Sequence, residues 1–488
     1  MSEPRPVRVR IAPSPTGLPH IGTFRTFLFN WLFGRQRGGT FVIRIEDTDR
    51  ERLVPGAIDA LLDAVEWFGL DWDEGPRKDG PYAPYEQSER LPLYHRYVAQ
   101  LIANGKAYRC YCSTERLEKL RSEQQARKEP PGYDRLCRDL TPAERATREA
   151  EGAPSVVRFA APLDGSTTFH DVIHGAITWE NRVLDDFVIL KSDGFPTYHL
   201  AHLVDDHEME ISHVLRGDEW ISSTPRHVLL YQAFGWEPPI FAHLPTILGP
   251  DRKKLSKRHG PTGIAAFQEA GYLPEALRNY LALCGWSPGT EQELFTLDEL
   301  IEQFDLERVN QTGAIFDHAK LDWFNGMYIR ALPPEELARR LRPFLGYASV
   351  TLPDADLTAI AALFQDRLRT LSEITELTDF LLTDDVHYDA AALVPKGVTS
   401  EQMIPALERS RELVASFDPF EAASLEAAFR TLSDELGLKA GQLFMSIRLA
   451  ITGKTATPPL FDTMVVLGRQ RTVDRLAAAV ARLRSGTP

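Results

Sequence analysis

Apolar and charged residues alternate at the start of the chain. Val7, Val9 and Ile11 are interleaved with Arg8 and Arg10, a period of two that predicts a strand over residues 7–12. After a turn punctuated by Pro13, Pro15 and Gly17, Phe24, Phe27, Leu28, Trp31 and Leu32 recur at helical spacing until Gly38 and Gly39. A helix should therefore open just past His20. A second strand is expected over residues 41–46, followed by a helix carrying Ile58, Leu61, Leu62, Val65 and Phe68 on one face. This order implies a parallel sheet whose ligands gather at the carboxyl ends of its strands.

From about Leu93 the texture changes. A Cys-containing stretch leads into a charge-rich segment, residues 113–151, and then into strand-like runs at 155–159 and 183–191. Sheet-like sequence resumes at 197–200 and 212–216, so the pattern reads as an α/β fold split by an insertion. After roughly Arg330 the chain is rich in Ala, Leu, Glu and Arg, and Leu363, Phe364, Leu368 and Leu371 sit at helical spacing. That region reads as all-helical.

At 488 residues the chain has room for roughly three or four compact units. Its net charge of −14 weighs against a protein that clings to nucleic acid without selectivity, because such binding needs a surplus of Lys and Arg. A selective RNA partner remains compatible. The basic stretches Arg339-Arg340-Leu341-Arg342 and Arg469-Gln470-Arg471 read first as solvated helix faces. No apolar run reaches bilayer length, and the first residues lack the core of a signal peptide, so a cytoplasmic protein with no membrane partner is expected. Four cysteines argue against a disulfide scaffold.

The densest chemical signal is Ile11-Ala-Pro-Ser-Pro-Thr-Gly-Leu-Pro-His-Ile-Gly-Thr23, with Lys254-Leu-Ser-Lys-Arg258 far downstream. His20 falls where a strand has turned into a helix N-terminus, a place that suits phosphate through free backbone N–H groups and the helix dipole. A His-x-Gly turn alone reads as a capping turn, and K-L-S-K-R alone as a surface turn. The pair is far more specific. Neither G-x-G-x-x-G, G-x-x-x-x-G-K-[ST] nor G-x-S-x-G occurs, which removes the usual evidence for dinucleotide, P-loop and serine hydrolase chemistry.

These two motifs, with Glu46-Asp-Thr-Asp49, resemble the signatures of class I aminoacyl-tRNA synthetases in the form carried by the glutamyl-tRNA synthetase family. Thr23 stands where the first signature more often ends in His. The resemblance implies a Rossmann-type catalytic domain in two halves (1–92 and 197–253), an inserted acceptor-end-binding domain (93–196), a signature loop and stem-contact segment (254–330) and a helical anticodon-binding region (331–488). It implies a monomer that joins L-glutamate to tRNA(Glu) with ATP and Mg²⁺, through glutamyl-adenylate and then transfer to the terminal 2′-hydroxyl.

The resemblance also implies roles for residues. His20, Lys254 and Lys257 would act on the phosphates. Pro13, Ser14, Gly17, Gly22, Thr23 and Trp220 would complete the ATP site, although Trp220 reads equally as a core residue. Arg10, Ala12, Ser14, Glu46, Tyr198 and Arg216 match the glutamate pocket, with Glu46 on the ammonium group and the arginines able to fork onto a carboxylate. The Glu46–Asp49 cluster as a Mg²⁺ site is the second reading. Cys110, Cys112 and Cys137 suit a zinc knuckle whose fourth ligand is Asp139, or Tyr133 by likeness to a truncated relative; three ordinary buried thiols are the alternative. Arg367 aligns with an arginine that marks enzymes discriminating against tRNA(Gln). The register points equally to Arg369, and either reads otherwise as a solvated residue.

Overall fold

The predicted alternation becomes strand β1 (Arg8–Ile11), whose Val9 and Ile11 are buried. Helix α1 (Ile21–Gln36) opens directly after His20, and β2 (Thr40–Ile43) runs parallel to β1 with Val9 opposite Phe41. Helix α2 (Ala57–Trp67) buries Leu61, Leu62 and Val65. Phe24, Phe27, Phe41 and Phe68 meet in edge and stacked contacts under the sheet. The computed structural model describes residues 6–17, 19–78, 80–345, 354–383 and 385–485.

The middle of the chain holds α3 (Leu91–Ala103), β3 (Ala107–Cys110), α4 (Thr114–Ala126), α5 (Pro142–Ala150), β4 (Val156–Phe159), the hairpin β5 (Ser166–Asp171) and β6 (Gly175–Glu180), and β7 (Val188–Leu190). Strands β3, β4 and β7 form a small antiparallel sheet. The hairpin instead joins the sheet of β8 (His213–Gly217) and β9 (Ile240–Leu244), in the order β6-β5-β9-β8. Strand β8 is tied to β1 by Ser212 N donating to Arg8 O at 3.0 Å.

Two expectations fail locally. Residues 197–200 are the start of helix α6 (Tyr198–Glu208), not sheet. Their aromatic character suggested a strand, but Leu200, Ala201, Leu203 and Val204 continue at helical spacing and all are buried, so packing decides for helix. In the run 183–191 only Val188–Leu190 is strand, after a short 3₁₀ turn at Asn181–Val183.

The chain divides into two compact units, residues 1–267 with 274–318, and residues 268–273 with 319–488. In the second, helices Ser400–Ser416 and Arg469–Ser485 pack through Met403, Leu407, Val414, Leu476 and Val480. Buried Arg475 donates to the carbonyls of Ile451, Phe380 and Thr383.

In the first unit, charged groups tie the sheet to α6. Asp206 Oδ1 accepts from Arg10 Nε at 3.0 Å and from Arg44 Nη1 at 2.7 Å. Its neighbour Asp205 accepts from Arg90 Nε, Gln87 Nε2 and Tyr94 Oη at 2.7–2.8 Å. Burial works to raise the pKa of Asp206, but Arg10 and Arg44 outweigh it and hold the carboxyl well below its ordinary range. Asp205→Ala should cost about 3–5 kcal/mol, because Arg90 and Arg44 keep their charge in the interior without that anion. Urea unfolding of the variant measures it; a loss under about 1 kcal/mol would contradict the assignment.

Candidate active site

A cavity of about 950 Å³ opens at the carboxyl ends of β1 and β8. Its walls include Arg10, Ala12, Pro13, Ser14, His20, Gly22, Thr23, Glu46, Tyr198, Arg216, Trp220 and Lys254. Twelve residues expected from two distant stretches and the segments between them thus share one cleft. Gly17 and Lys257 do not line it; both are exposed.

His20 caps α1. Its Nδ1 accepts from Gly22 N at 3.0 Å, which leaves Nε2 to carry the proton of the neutral ring as an outward donor. Burial, then the charge of Lys254, lowers its pKa, so the neutral form is favoured. The helix terminus offers fewer free donors than expected: Ile21 N donates to Thr262 O and Phe24 N to His20 O. Thr23 N has no partner among the described residues and remains for an anion.

The basic loop is anchored by buried Leu255, whose N–H donates to Ile247 O, and by Asp251, which pairs with Arg258 at 3.1 Å. Lys254 faces the cavity. Lys257 begins a short 3₁₀ turn and, among the described residues, forms no ion pair.

Arg216 is buried and its partners are neutral. Nη1 donates to Tyr198 Oη at 3.1 Å, Nη2 to Thr224 Oγ1 at 2.8 Å, and Nε to His243 Nε2 at 3.1 Å, with His227 Nδ1 3.2 Å from Nη2. Among the described residues no carboxylate lies within 4 Å of it. Arg10, expected to fork onto the substrate, pairs with Asp206 through Nε and Nη2 and still lines the cavity with Arg216 and Lys254. Trp220 packs on Tyr198 with ring centroids 4.1 Å apart, beside Arg216. It is half-buried, not a core residue.

Glu46 faces the same space. Burial raises its carboxyl to about 7, against the opposing charges of Arg44 and Arg10. A buried carboxyl thus stands in one cavity with an arginine whose hydrogen-bond partners, among the described residues, are neutral.

Residues 6–323 match the family model for tRNA synthetases class I (E and Q), catalytic domain, and residues 336–480 match an anticodon binding domain. The chain belongs to the class I (E and Q) tRNA synthetases. Among similar relatives are the glutamate–tRNA ligase of Dehalococcoides mccartyi, 55% identical over 482 residues and 98% of each chain, and that of Moorella thermoacetica, 47% identical over 484 residues, 98% of this chain and 99% of that one. A crystal structure of a glutamate tRNA ligase from Elizabethkingia meningosepticum, in complex with its amino acid, superposes with a TM-score of 0.91 at 37% identity, covering 98% of this chain and 99% of that one. The family resemblance read from the two signatures is borne out, as is the α/β fold with a helical C-terminal region.

Within this synthetase fold, the sulfurs of Cys110, Cys112 and Cys137 lie within 4.8 Å of one another. Asp139, expected as a fourth ligand, is exposed and outside that group. Tyr133 Oη lies beside the thiols instead, 3.3 Å from Cys110 Sγ and 3.5 Å from Cys112 Sγ. The Cys110 thiol is pulled down by its hydrogen bond with Cys137, against burial and with help from Tyr133. Arg116 reaches Cys112 Sγ at 3.5 Å, and the Arg158 guanidinium lies over the Tyr133 ring at 3.9 Å. Three thiols near cations are a donor set that fits zinc.

In the helical unit, Arg367 Nη2 donates to Thr457 O at 2.8 Å, and Arg448 reaches the same carbonyl at 3.3 Å. Arg369 is held by Glu373 at 2.6 Å. Arg339 and Arg340 are likewise spent on Glu336, as expected of solvated helix faces.

Residues 171, 224, 227 and 243 went unnoticed in the sequence. A lone histidine on an alternating strand carries no motif, and its role is visible only once neighbouring strands are paired.

The Glu46 value sets a pH dependence. The carboxylate form pairs with ammonium and the protonated form does not, so glutamate affinity should strengthen as pH rises through about 7 and then level. Glutamate KM measured across that range tests it. The step should vanish in Glu46→Gln, and a flat wild-type profile would contradict it.

Proposed function

We propose that this chain joins L-glutamate to tRNA(Glu). The glutamate α-carboxylate attacks the α-phosphorus of ATP, forming glutamyl-adenylate and releasing pyrophosphate. The terminal 2′-hydroxyl of the tRNA then attacks the acyl carbon, loses its proton, and AMP departs. The nucleophile of the first step is already an anion at neutral pH, so positioning and cationic donors can supply the catalysis. His20 Nε2–H, Thr23 N–H and Lys254 serve the phosphates from the cavity wall, Lys257 reaches them by movement of its exposed loop, and ATP brings its own Mg²⁺. Glu46 takes the substrate ammonium and Arg216 the side-chain carboxylate.

The observation that carries this reading is Arg216: a buried cation whose partners are all neutral, in the cavity that holds Glu46, His20 and Lys254. A neutral glutamine amide would leave that charge unmet. Pyrophosphate exchange should require glutamate and cognate tRNA, and Lys257→Ala should slow it while leaving the fold intact. Robust exchange with glutamine, or none with glutamate plus tRNA, would overturn the proposal.

Cys110, Cys112, Cys137 and the Tyr133 phenol would hold one zinc, fastening the end of β3 to the loop before α5. The ion would be structural there. Elemental analysis of protein purified without chelator should find about one zinc per chain, and none would favour plain thiols.

Arg367 is proposed to read the third anticodon base. It is exposed and free of carboxylates within 4 Å among the described residues, whereas Arg369 is neutralised by Glu373. The enzyme should charge tRNA(Glu) well and tRNA(Gln) poorly, with selectivity relaxed by Arg367→Ala but not by Arg369→Ala. Comparable kcat/KM of the wild type on both transcripts would contradict this.

A further inference from the structure

Two buried groups beside the cavity have no part in the steps above. Asp171 and His243 are fully buried and line no part of the cleft. With Arg216 they form a chain across three adjacent strands: Asp171 ends β5, His243 lies on β9, and Arg216 stands opposite His243 on β8. Asp171 Oδ2 is 2.6 Å from His243 Nδ1 and accepts the His243 backbone N–H at 3.0 Å. Its Oδ1 accepts from Ile173 N and His174 N, both at 2.9 Å.

An ionised carboxylate can only accept. Burial works to raise the pKa of Asp171, but His243 and these backbone amides outweigh it and keep the carboxyl below its ordinary range. The histidine proton is therefore on Nδ1, and Nε2 is left as an acceptor. That lone pair receives Arg216 Nε–H at 3.1 Å. In the other tautomer, two N–H groups would face each other and the arginine would lose this clamp.

We propose that Asp171 and His243 are positioning residues for glutamate selection: they hold the imidazole with Nε2 as acceptor, which fixes Arg216 through Nε and keeps its Nη1 edge at the cavity wall beside Tyr198. The inference rests on the reading that Arg216 receives the side-chain carboxylate. The arrangement also explains how a buried arginine stays unblocked. The Asp171 carboxylate touches only the neutral ring and not the guanidinium, so the edge of Arg216 facing the cleft is oriented without being spent on a protein carboxylate. The strand that supplies this anion belongs to the hairpin of the inserted segment, so glutamate selection depends on a residue far from both signatures.

The test compares wild type with Arg216→Gln, Asp171→Asn, His243→Phe and His243→Gln in steady-state aminoacylation. Asp171→Asn and His243→Phe should raise glutamate KM by about ten- to a hundredfold, the loss expected for one hydrogen bond to a charged group, with ATP KM unchanged. His243→Gln keeps an acceptor oxygen for Arg216 and should recover much of the loss. Ring ¹⁵N spectra should show the proton of His243 on Nδ1 in the wild type and a shifted tautomer balance in Asp171→Asn. Should Asp171→Asn fail to fold, the contrast between His243→Gln and His243→Phe carries the test. If Arg216→Gln raises glutamate KM while the Asp171 and His243 variants do not, or if those variants raise ATP KM in parallel, the relay is overturned. If Arg216→Gln itself leaves glutamate KM unchanged, the reading of Arg216 fails first.

Discussion

The Asp206 carboxylate, shared between Arg10 and Arg44, is the contact on which the catalytic unit depends. It joins the ends of two parallel strands to α6, and all of these groups are buried. With Asp205, Glu46 and Arg90 the set holds three arginines and three carboxyl groups. Burial lowers the pKa of Arg44, but Asp206, Asp205 and Glu46 more than offset it and leave it raised. Breaking one member of such a set leaves a charge in the interior, which is far more costly than the net worth of the pairs.

This network sorts the charges of the cavity by task. Arg10 is engaged by Asp206 and cannot turn wholly to a substrate. Glu46 is 3.3 Å from Arg44 Nη2, and burial raises its pKa against the charges of Arg44 and Arg10. The hydrogen-bond partners of Arg216 among the described residues are neutral. The cleft therefore sets a buried carboxyl, Glu46, near an arginine that, among the described residues, has no carboxylate within 4 Å. Under the proposed reading, the glutamate ammonium meets Glu46 and its side-chain carboxylate meets Arg216, which turns the α-carboxylate toward His20 and Lys254.

How much of this was legible in the sequence follows from the kind of signal each part leaves. The strand, turn and helix around His20 were readable because a period of two gives way to a period near 3.6 across a Pro- and Gly-rich turn. The pairing of that turn with Lys254 was readable from two signatures, but not the exposed position of Lys257 outside the cavity wall. Residues 197–200 misled because aromatic residues suit both states and burial decides between them. The ion pair of Arg10 with Asp206, 196 residues away, left no local trace in the sequence. Asp171 and His243 had no local signal, since their meaning lies in strand register. Tyr133 emerged over Asp139 as the neighbour of the thiols only when the loop was folded.

The central claim is that the uncompensated charge of Arg216 selects the substrate. Calorimetric binding of glutamate and of glutamine, each with an unreactive ATP analogue and cognate tRNA present, should be measured for the wild type and for Arg216→Gln. The account predicts a clear preference for glutamate in the wild type that falls toward parity in the variant, because glutamate loses affinity while glutamine does not. A preference that survives Arg216→Gln unchanged would contradict it.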